Sequence, residues 1–308
     1  MEKHEINRVT IFGGTGQYGR KITEKLLEKG IKTRVFTRDP ARAGKIIGNH
    51  SDFIEGNIND NRKVSESLEG TDAIIVCVSA MNWHQIRKMR EVEVGGLKNI
   101  MNAMVKHNIQ RLVFISVYDI DPDFVKGQKS AKLADPKAEA EKLIRESGFN
   151  WTILGCPPSY ELFFRLLRNN RLNVPGGGRQ SLVCISPDDV GEIASQAIIR
   201  DDLKGMRFRL AGPETINFPG FAEKVSAITR KKVKYRAIPL GIVNIVTFIL
   251  GLINPYPRMI YLAIRMMNNF PSHIAARAKE DHNLLIKTFH LRGTTLDEEI
   301  RKRFRVPE

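Results

Sequence analysis

Near its start the chain places several glycines between a short β-branched, apolar run and a helix-like pattern: residues 8–22 read RVTIFGGTGQYGRKI. Gly14, Gly16 and Gly19 fit G-x-G-x-x-G, and Gly13, Gly16 and Gly19 fit G-x-x-G-x-x-G. A glycine triplet alone is weak evidence. A strand before it, a helix after it and a place in the first βαβ unit make it a phosphate-binding turn. The chemistry is that of the backbone. A first glycine permits the tight turn, Gly16 lets the chain approach a pyrophosphate with no Cβ in the way, and Gly19 lets the helix pack on the strand. The amides of Gln17, Tyr18 and Gly19 and the positive end of the helix then face the anion. These features predict a dinucleotide site.

The end of the second strand selects the dinucleotide. A reader of a ribose 2′-hydroxyl puts Asp or Glu there. This chain has VFTRDP, with Arg38 after Thr37. A guanidinium can stack on adenine and grip a 2′-phosphate with two hydrogen bonds, and Arg42 and Lys45 follow on the next helix. NADP(H) is the favoured reading. Asp39 keeps NAD(H) as the alternative.

The rest of the first half alternates between strand and helix. Strands are expected at KTRVFTR, DFIEGNI, DAIIVCVSA, RLVFISV and NWTILGC. Helices are expected at 17–29, 40–47, 60–68, 91–107 and 136–147, several of them ended by glycine. Crossovers of helical length are what parallel neighbours need. The fold class is therefore α/β, a doubly wound parallel sheet with a smaller C-terminal α+β lobe. A dinucleotide-binding domain is assigned to residues 1–155, with 181–205 returning to it. Residues 156–180 and 206–308 form the smaller substrate or partner lobe. A helix over 159–168, a turn at VPGGGRQ, a strand at SLVCIS and a helix opened by Pro187, Asp188 and Asp189 link the two. A ligand cleft is expected between them.

With 308 residues, of which 42% are hydrophobic, the chain is long enough for a large core. Cys77, Cys156 and Cys184 are odd in number and sit in apolar runs, so they read as reduced and buried, in a reducing compartment. The charged start, MEKHEINR, has no apolar stretch of signal type. A cytoplasmic place is expected, with peripheral membrane attachment as the alternative. The net charge of +15 suggests an anionic partner, but no zinc-ligand spacing or helix-turn-helix pattern accompanies it, and nucleic acid is not expected. No metal-ligand spacing is found among the seven histidines. The uncharged run IPLGIVNIVTFILGLI, 238–253, is too short to span a bilayer comfortably. It reads first as a buried helix of the smaller lobe. With RMIYLAIRMMNNF behind it, residues 238–270 could instead contact an anionic membrane surface or a second copy of the chain.

The segments TIFGGTGQYGRKI, VFTRDPARA, IEGNIND, LVFISV, PKAEAEKLIRESGFNWTIL and ISPDDVGEIASQAI, in that order, resemble the atypical extended short-chain dehydrogenase/reductases. The nearest likeness is to the NmrA-like branch and to proteins similar to the NAD(P)H-binding accessory subunit of respiratory complex I. The resemblance covers about residues 8–239 and implies a Rossmann fold. It also implies that Gly13, Thr15, Gly16, Gln17 and Tyr18 surround the pyrophosphate, and that Asn57 and Ile58 flank the adenine, Asn57 replacing the usual Asp. Val78, Ser79 and Ala80 would line the ribose. Ser116 stands at the position of the family's catalytic serine, and Lys137 at that of the lysine in its Tyr-x-x-x-Lys pair. The tyrosine itself is missing: four residues before Lys137 the chain has Leu133. The family's usual Arg-Pro after TIL is replaced by Gly155 and Cys156. Leucine cannot move a proton, so the candidates for an acid are Tyr118, two residues past Ser116, and Tyr160, expected to face the substrate cleft. Two functions stay open. One is an NADP(H)-dependent reductase of a small, apolar carbonyl or quinone-like compound with a non-standard proton donor. The other is a non-catalytic NAD(P)H-binding redox sensor or assembly protein.

Overall fold

The computed structural model describes residues 5–119 and 134–307. These described residues divide into two compact units, the first made of 5–118, 135–156 and 187–208, the second of 119, 134, 157–186 and 209–307.

The first unit is built on a seven-stranded sheet. In chain order its strands are β1 (Arg8–Phe12), β2 (Lys32–Thr37), β3 (Asp52–Glu55), β4 (Ala73–Val76), β5 (Arg111–Val117), β6 (Asn150–Cys156) and, later in the chain, β10 (Met206–Arg209). Their spatial order is β10-β6-β5-β4-β1-β2-β3. The pairs from β3 through to β6 are all parallel, with Ile11 opposite Val35 on one side and Ile75 on the other. Central strands covered on both faces need apolar residues throughout. β4 is AIIV, buried at every position, and β5 is buried from Arg111 to Ser116. The order reverses between β1 and β4, which in such folds makes the C-terminal ends of these strands the ligand edge. This is the doubly wound α/β class expected.

The crossovers are α1 (Gln17–Glu28), α2 (Pro40–Ile47), α3 (Asn61–Ser67), α4 (Gly96–Lys106) and α5 (Asp135–Arg145), and α7 (Pro187–Ile199) returns to pack on α1. That packing is close because Gly191 of α7 has no side chain: a Cβ there would meet the carbonyl oxygen of Lys21 at 2.7 Å. Ion pairs Lys21–Asp188 and Lys29–Glu192, both 2.8 Å, flank it. One expected helix is different in kind. Residues 91–107 do not form a continuous α-helix; Glu91–Gly95 is a π-helical turn that leads into α4. Its wider ring holds an extra residue, and Val92, Glu93 and Val94 all become buried.

The second unit holds two small sheets. β8 (Arg171–Pro175) lies between β7 (Leu167–Arg168), antiparallel to it, and β12 (Lys234–Ile238), parallel to it; β9 (Leu182–Val183) pairs with β11 (Thr215–Ile216). The β7–β8 hairpin turns through Asn169 and Asn170, both at positive φ, as a two-residue turn between twisted strands requires. It replaces the end of the expected 159–168 helix, of which only α6 (Glu161–Leu166) forms. α8 (Phe218–Thr229), α9 (Leu240–Gly251), α10 (Tyr256–Asn268), α11 (Ser272–Phe289) and α12 (Leu296–Phe304) complete the unit. Its core gathers Tyr160, Phe163, Phe164, Phe218, Phe221, Leu296 and Ile300. The run 238–253 does not belong to that core: no residue of α9 is buried.

Candidate functional site

β1 delivers the chain to a turn that only glycine can make. Gly13 has φ +88, and a Cβ on it would meet the carbonyl oxygen of Cys77 at 2.6 Å. The carbonyl of Gly13 accepts the amide of Gly16 at 3.0 Å, and a Cβ on Gly19 would collide with that same carbonyl. Gly16 caps α1, its own side being open apart from the carbonyl of Gly13 at 3.2 Å. No side chain caps this helix, and its first turn carries no acidic residue. A helix start left this bare of carboxylates keeps its positive end for an external anion. Thr15, Gln17 and Tyr18, half-buried, stand in the same turn.

The end of β2 distinguishes two neighbouring charges. The carboxylate of Asp39 accepts the amide of Arg42 at 2.9 Å and so caps α2. Arg38 is exposed, and its guanidinium forms no ion pair among the described residues. Past β3, Asn57 is exposed, and its side-chain oxygen accepts the amide of Asn59 at 3.0 Å. Ile58 is buried against Gly96, where a Cβ would lie 2.7 Å from it, and its carbonyl accepts the side chain of Asn99 at 2.9 Å.

A buried polar cluster lies past the end of β4. Lys137 Nζ donates to the carbonyl of Val78 at 2.7 Å, lies 3.5 Å from Glu93 Oε2 and stands 5.0 Å from the centroid of the Phe114 ring. Glu93 Oε1 accepts the amide of Ala80 at 2.8 Å. Lys137 thus holds Val78 directly and Ala80 through the Glu93 carboxylate, and Ser79 stands exposed between Val78 and Ala80. The sequence reading missed Glu93. The signal was an acid between two valines, VEV, where an amphipathic helix should bury only apolar groups. Ser116 lies within β5, near its C-terminal end. It is buried, and its hydroxyl has no hydrogen-bond partner among the described residues.

The edge of β6 explains Gly155. A Cβ there would lie 2.8 Å from the carbonyl oxygen of Val117 and 3.0 Å from the guanidinium of Arg207. Arg207 uses that space, donating to Val117 O at 2.9 Å and to both oxygens of Glu141 at 2.9 and 3.1 Å. Glu141 is itself fully buried.

The expected acids fare differently. Leu133 lies outside the described residues. Tyr118 is 6% exposed. Tyr160, expected to face a cleft, is 1% exposed and packs in the aromatic core of the second unit; its phenol reaches Gly212, where a Cβ would meet it at 2.9 Å. The reason is local. Tyr160 leads into α6, whose Phe163 and Phe164 pull the same face into the core. The thiols of Cys156 and Cys184 are buried and Cys77 is half-buried, all three unbridged. Burial pushes Cys77 up to about 12 and the other two higher still, so none is an activated nucleophile. Among the described residues no group of His, Cys, Asp and Glu could hold a metal ion. A shallow cleft of about 410 Å³ at the opposite, N-terminal edge of the sheet, lined by Arg8, Lys32, His50 and Asp52 among others, lies away from these groups.

Residues 13–161 match a family of NAD(P)H-binding domains. Among curated proteins, the 40 kDa subunit of mitochondrial NADH-ubiquinone oxidoreductase from Neurospora crassa is 23% identical over 79% of this chain, a match that spans 65% of that protein's length. An NmrA-like family domain-containing oxidoreductase from Penicillium ochrochloron is 21% identical over 75% of each chain. Among solved structures, an NADPH-dependent quinone oxidoreductase from Escherichia coli, complexed with NADPH, superposes with a TM-score of 0.74 at 20% identity, covering 96% of this chain and 99% of that one. The likeness in structure is one of fold.

Proposed function

We propose that the chain is an NADP(H)-dependent reductase of a small, apolar, quinone-like compound, a reading supported by the match of residues 13–161 to NAD(P)H-binding domains and by the similarity to an NmrA-like oxidoreductase and to the 40 kDa subunit. The observation that carries the coenzyme reading is the division of labour between two neighbours. Asp39 spends its carboxylate on the N-terminus of α2, and Arg38 stands exposed with no ion pair among the described residues. That arrangement suits a 2′-phosphate better than a 2′-hydroxyl. The glycine turn and the acid-free start of α1 fit a pyrophosphate for the reasons given above.

When bound, the coenzyme supplies a hydride. The residues around it bind and orient. Gly13, Thr15, Gly16, Gln17 and Tyr18 would hold the pyrophosphate, Asn57 and Ile58 the adenine, and Val78, Ser79 and Ala80 the ribose. Lys137 and Ser116 would face the reacting end.

The missing phenol narrows the acceptor. Hydride transfer to an isolated ketone leaves a strongly basic alkoxide, which needs a proton from a positioned acid. Transfer to a quinone leaves a delocalised phenolate, an ion of the kind tyrosine forms near pH 10. Solvent can supply its proton. A sequence with Leu133 where the resembled family has its acid is therefore better matched to a quinone-like acceptor. The quinone oxidoreductase of similar fold points the same way.

The test is to titrate the purified chain with NADPH and NADH, then follow NADPH oxidation with quinones, enones and aldehydes. Tighter NADPH binding with quinone-dependent turnover is expected. No binding of either coenzyme overturns the reading. Binding with no turnover on any acceptor favours the second reading, a non-catalytic NAD(P)H-binding sensor or assembly protein. That reading has its own support in Leu133 and in the burial of Tyr118 and Tyr160.

A further inference from the structure

We propose that the α9–α10 hairpin seats this chain on an anionic phospholipid bilayer, with the apolar surface of α9 set into the interface and the basic residues beside it among the headgroups. The inference is independent of the reductase reading.

The first observation is an apolar helix with no protein cover. Nothing in α9 is buried. Ile242, Ile245, Val246, Phe248, Ile249 and Leu250 are all exposed, as are Leu252 and Ile253 just beyond, Phe248 to 57% and Leu252 to 76%. Contiguous apolar surface of this kind marks an interaction site. The helix is nonetheless firmly placed. Arg258 of α10 donates to the side-chain oxygen of Asn244 at 2.8 Å and lies over the rings of Phe248 and Tyr261. α10 in turn is tied to the body of the second unit through Asn268, which donates to Pro175 O at 3.0 Å and accepts the amide of Gly178 at 3.0 Å.

The polar content of α9 is consumed internally. Its two polar side chains are Asn244, engaged by Arg258, and Thr247, whose hydroxyl donates to the carbonyl of Val243 at 2.8 Å. A helix in contact with acyl chains must satisfy its polar groups in this way. The exposed apolar positions also surround much of the helix. A protein groove takes one stripe, whereas lipid wets every face offered to it.

The second observation is charge. Residues 224–279 contain ten Lys and Arg and no Asp or Glu. Lys231, Lys232, Lys234 and Arg236 lead directly into α9 and Arg265 lies on α10. All five are exposed, and none forms an ion pair among the described residues. Such a rim complements anionic lipid. It also opposes self-association, because a two-fold contact would set the rim against its own copy. α9 has twelve residues, about 18 Å of helix against roughly 30 Å of hydrocarbon. No helix among the described residues is long and apolar enough to cross a membrane. The hairpin lies in the interface.

Flotation with phosphatidylcholine vesicles, with and without phosphatidylglycerol, tests this on the full chain. Binding is expected only with phosphatidylglycerol, weakened by added salt. It should fall by about tenfold or more in Phe248→Glu/Ile249→Glu and also in Lys232→Glu/Arg236→Glu. These side chains are exposed, so circular dichroism and NADPH titration should match the parent; Leu252→Asp serves if either pair folds poorly. No flotation of the parent chain, or flotation untouched by the apolar variants, overturns the proposal. So does a dimer that dissociates in Phe248→Glu/Ile249→Glu while vesicles are ignored, which would assign the face to a second copy.

Discussion

Glu93 Oε2 stands 3.5 Å from Lys137 Nζ, and both side chains are buried. The pair binds the π-helical turn to the first turn of α5, and through Val78 O and Ala80 N it fixes the loop after β4. Removing one member strands the other charge away from water. Glu93→Gln or Lys137→Met should each cost about 3–5 kcal/mol. The double variant should cost less than the sum. Urea denaturation measures all three.

Arg38→Ala should weaken NADPH by roughly 10- to 100-fold, the worth of charge-assisted hydrogen bonds to a phosphate, and leave NADH nearly unchanged. Asp39→Ala should behave differently. It removes the cap of α2 at about 1 kcal/mol and should leave the preference between coenzymes intact. Calorimetric titration with both coenzymes separates the two roles.

Gly19→Ala places a methyl group against the Gly13 carbonyl and 2.8 Å from Gly14 Cα. Backbone atoms cannot yield as a side chain tip can, so α1 must move away from the turn. A loss of about 1–3 kcal/mol in stability is expected, together with loss of coenzyme binding. Thermal unfolding with and without NADPH shows both effects.

Cysteine titration sets an alkaline limit. Burial raises the thiol of Cys77 to about 12, and those of Cys156 and Cys184 beyond it. Unfolded, each would ionise near 8.5. Above that value the folded chain holds protons that the unfolded chain has lost, so stability is complete below about pH 8.5 and declines as pH rises toward 12. Denaturation midpoints across this range should show the decline, and Cys77→Ala should reduce it. In the native chain at pH 8, alkylation should be slow for all three thiols and become rapid on unfolding.

Ser116→Ala should lower quinone-dependent NADPH oxidation by roughly 100-fold, the low end of the range for a group that assists proton or charge movement, with little change in NADPH affinity. Tyr160→Phe should leave turnover unchanged, since its ring belongs to the core of the second unit. Abolished turnover in Tyr160→Phe would return that phenol to the list of acids.

The parallel sheet was readable because each strand carries its own signature. AIIV and RLVFIS are apolar without alternation, and helices of fitting length separate them. The glycine turn was readable for a related reason: a backbone constraint leaves a mark in residue type. What escaped depended on tertiary context. Glu93 looks like any helical acid until a wider turn brings it under Lys137. Tyr160 follows a strand end, where a phenol often reaches a ligand, and only the aromatic neighbours Phe163, Phe218 and Phe221 show it to be core. The run 238–253 has the composition of a buried helix, and hydrophobicity alone cannot say that the partner lies outside the chain. Gly155 departs from the family pattern because Arg207, more than fifty residues later, fills the space.

The widened turn at Glu91–Gly95 makes the Lys137 cluster sensitive to chain length as well as to side-chain identity. Deleting one residue between Glu91 and Gly95 would let the segment relax into ordinary helix and swing Glu93 about 100° around the axis, leaving Lys137 facing a different side chain with every other residue intact. Relatives that differ here by a single-residue gap would therefore be expected to solve the lysine's charge in another way, and a comparison of indels, rather than of substitutions, is where that divergence would be seen.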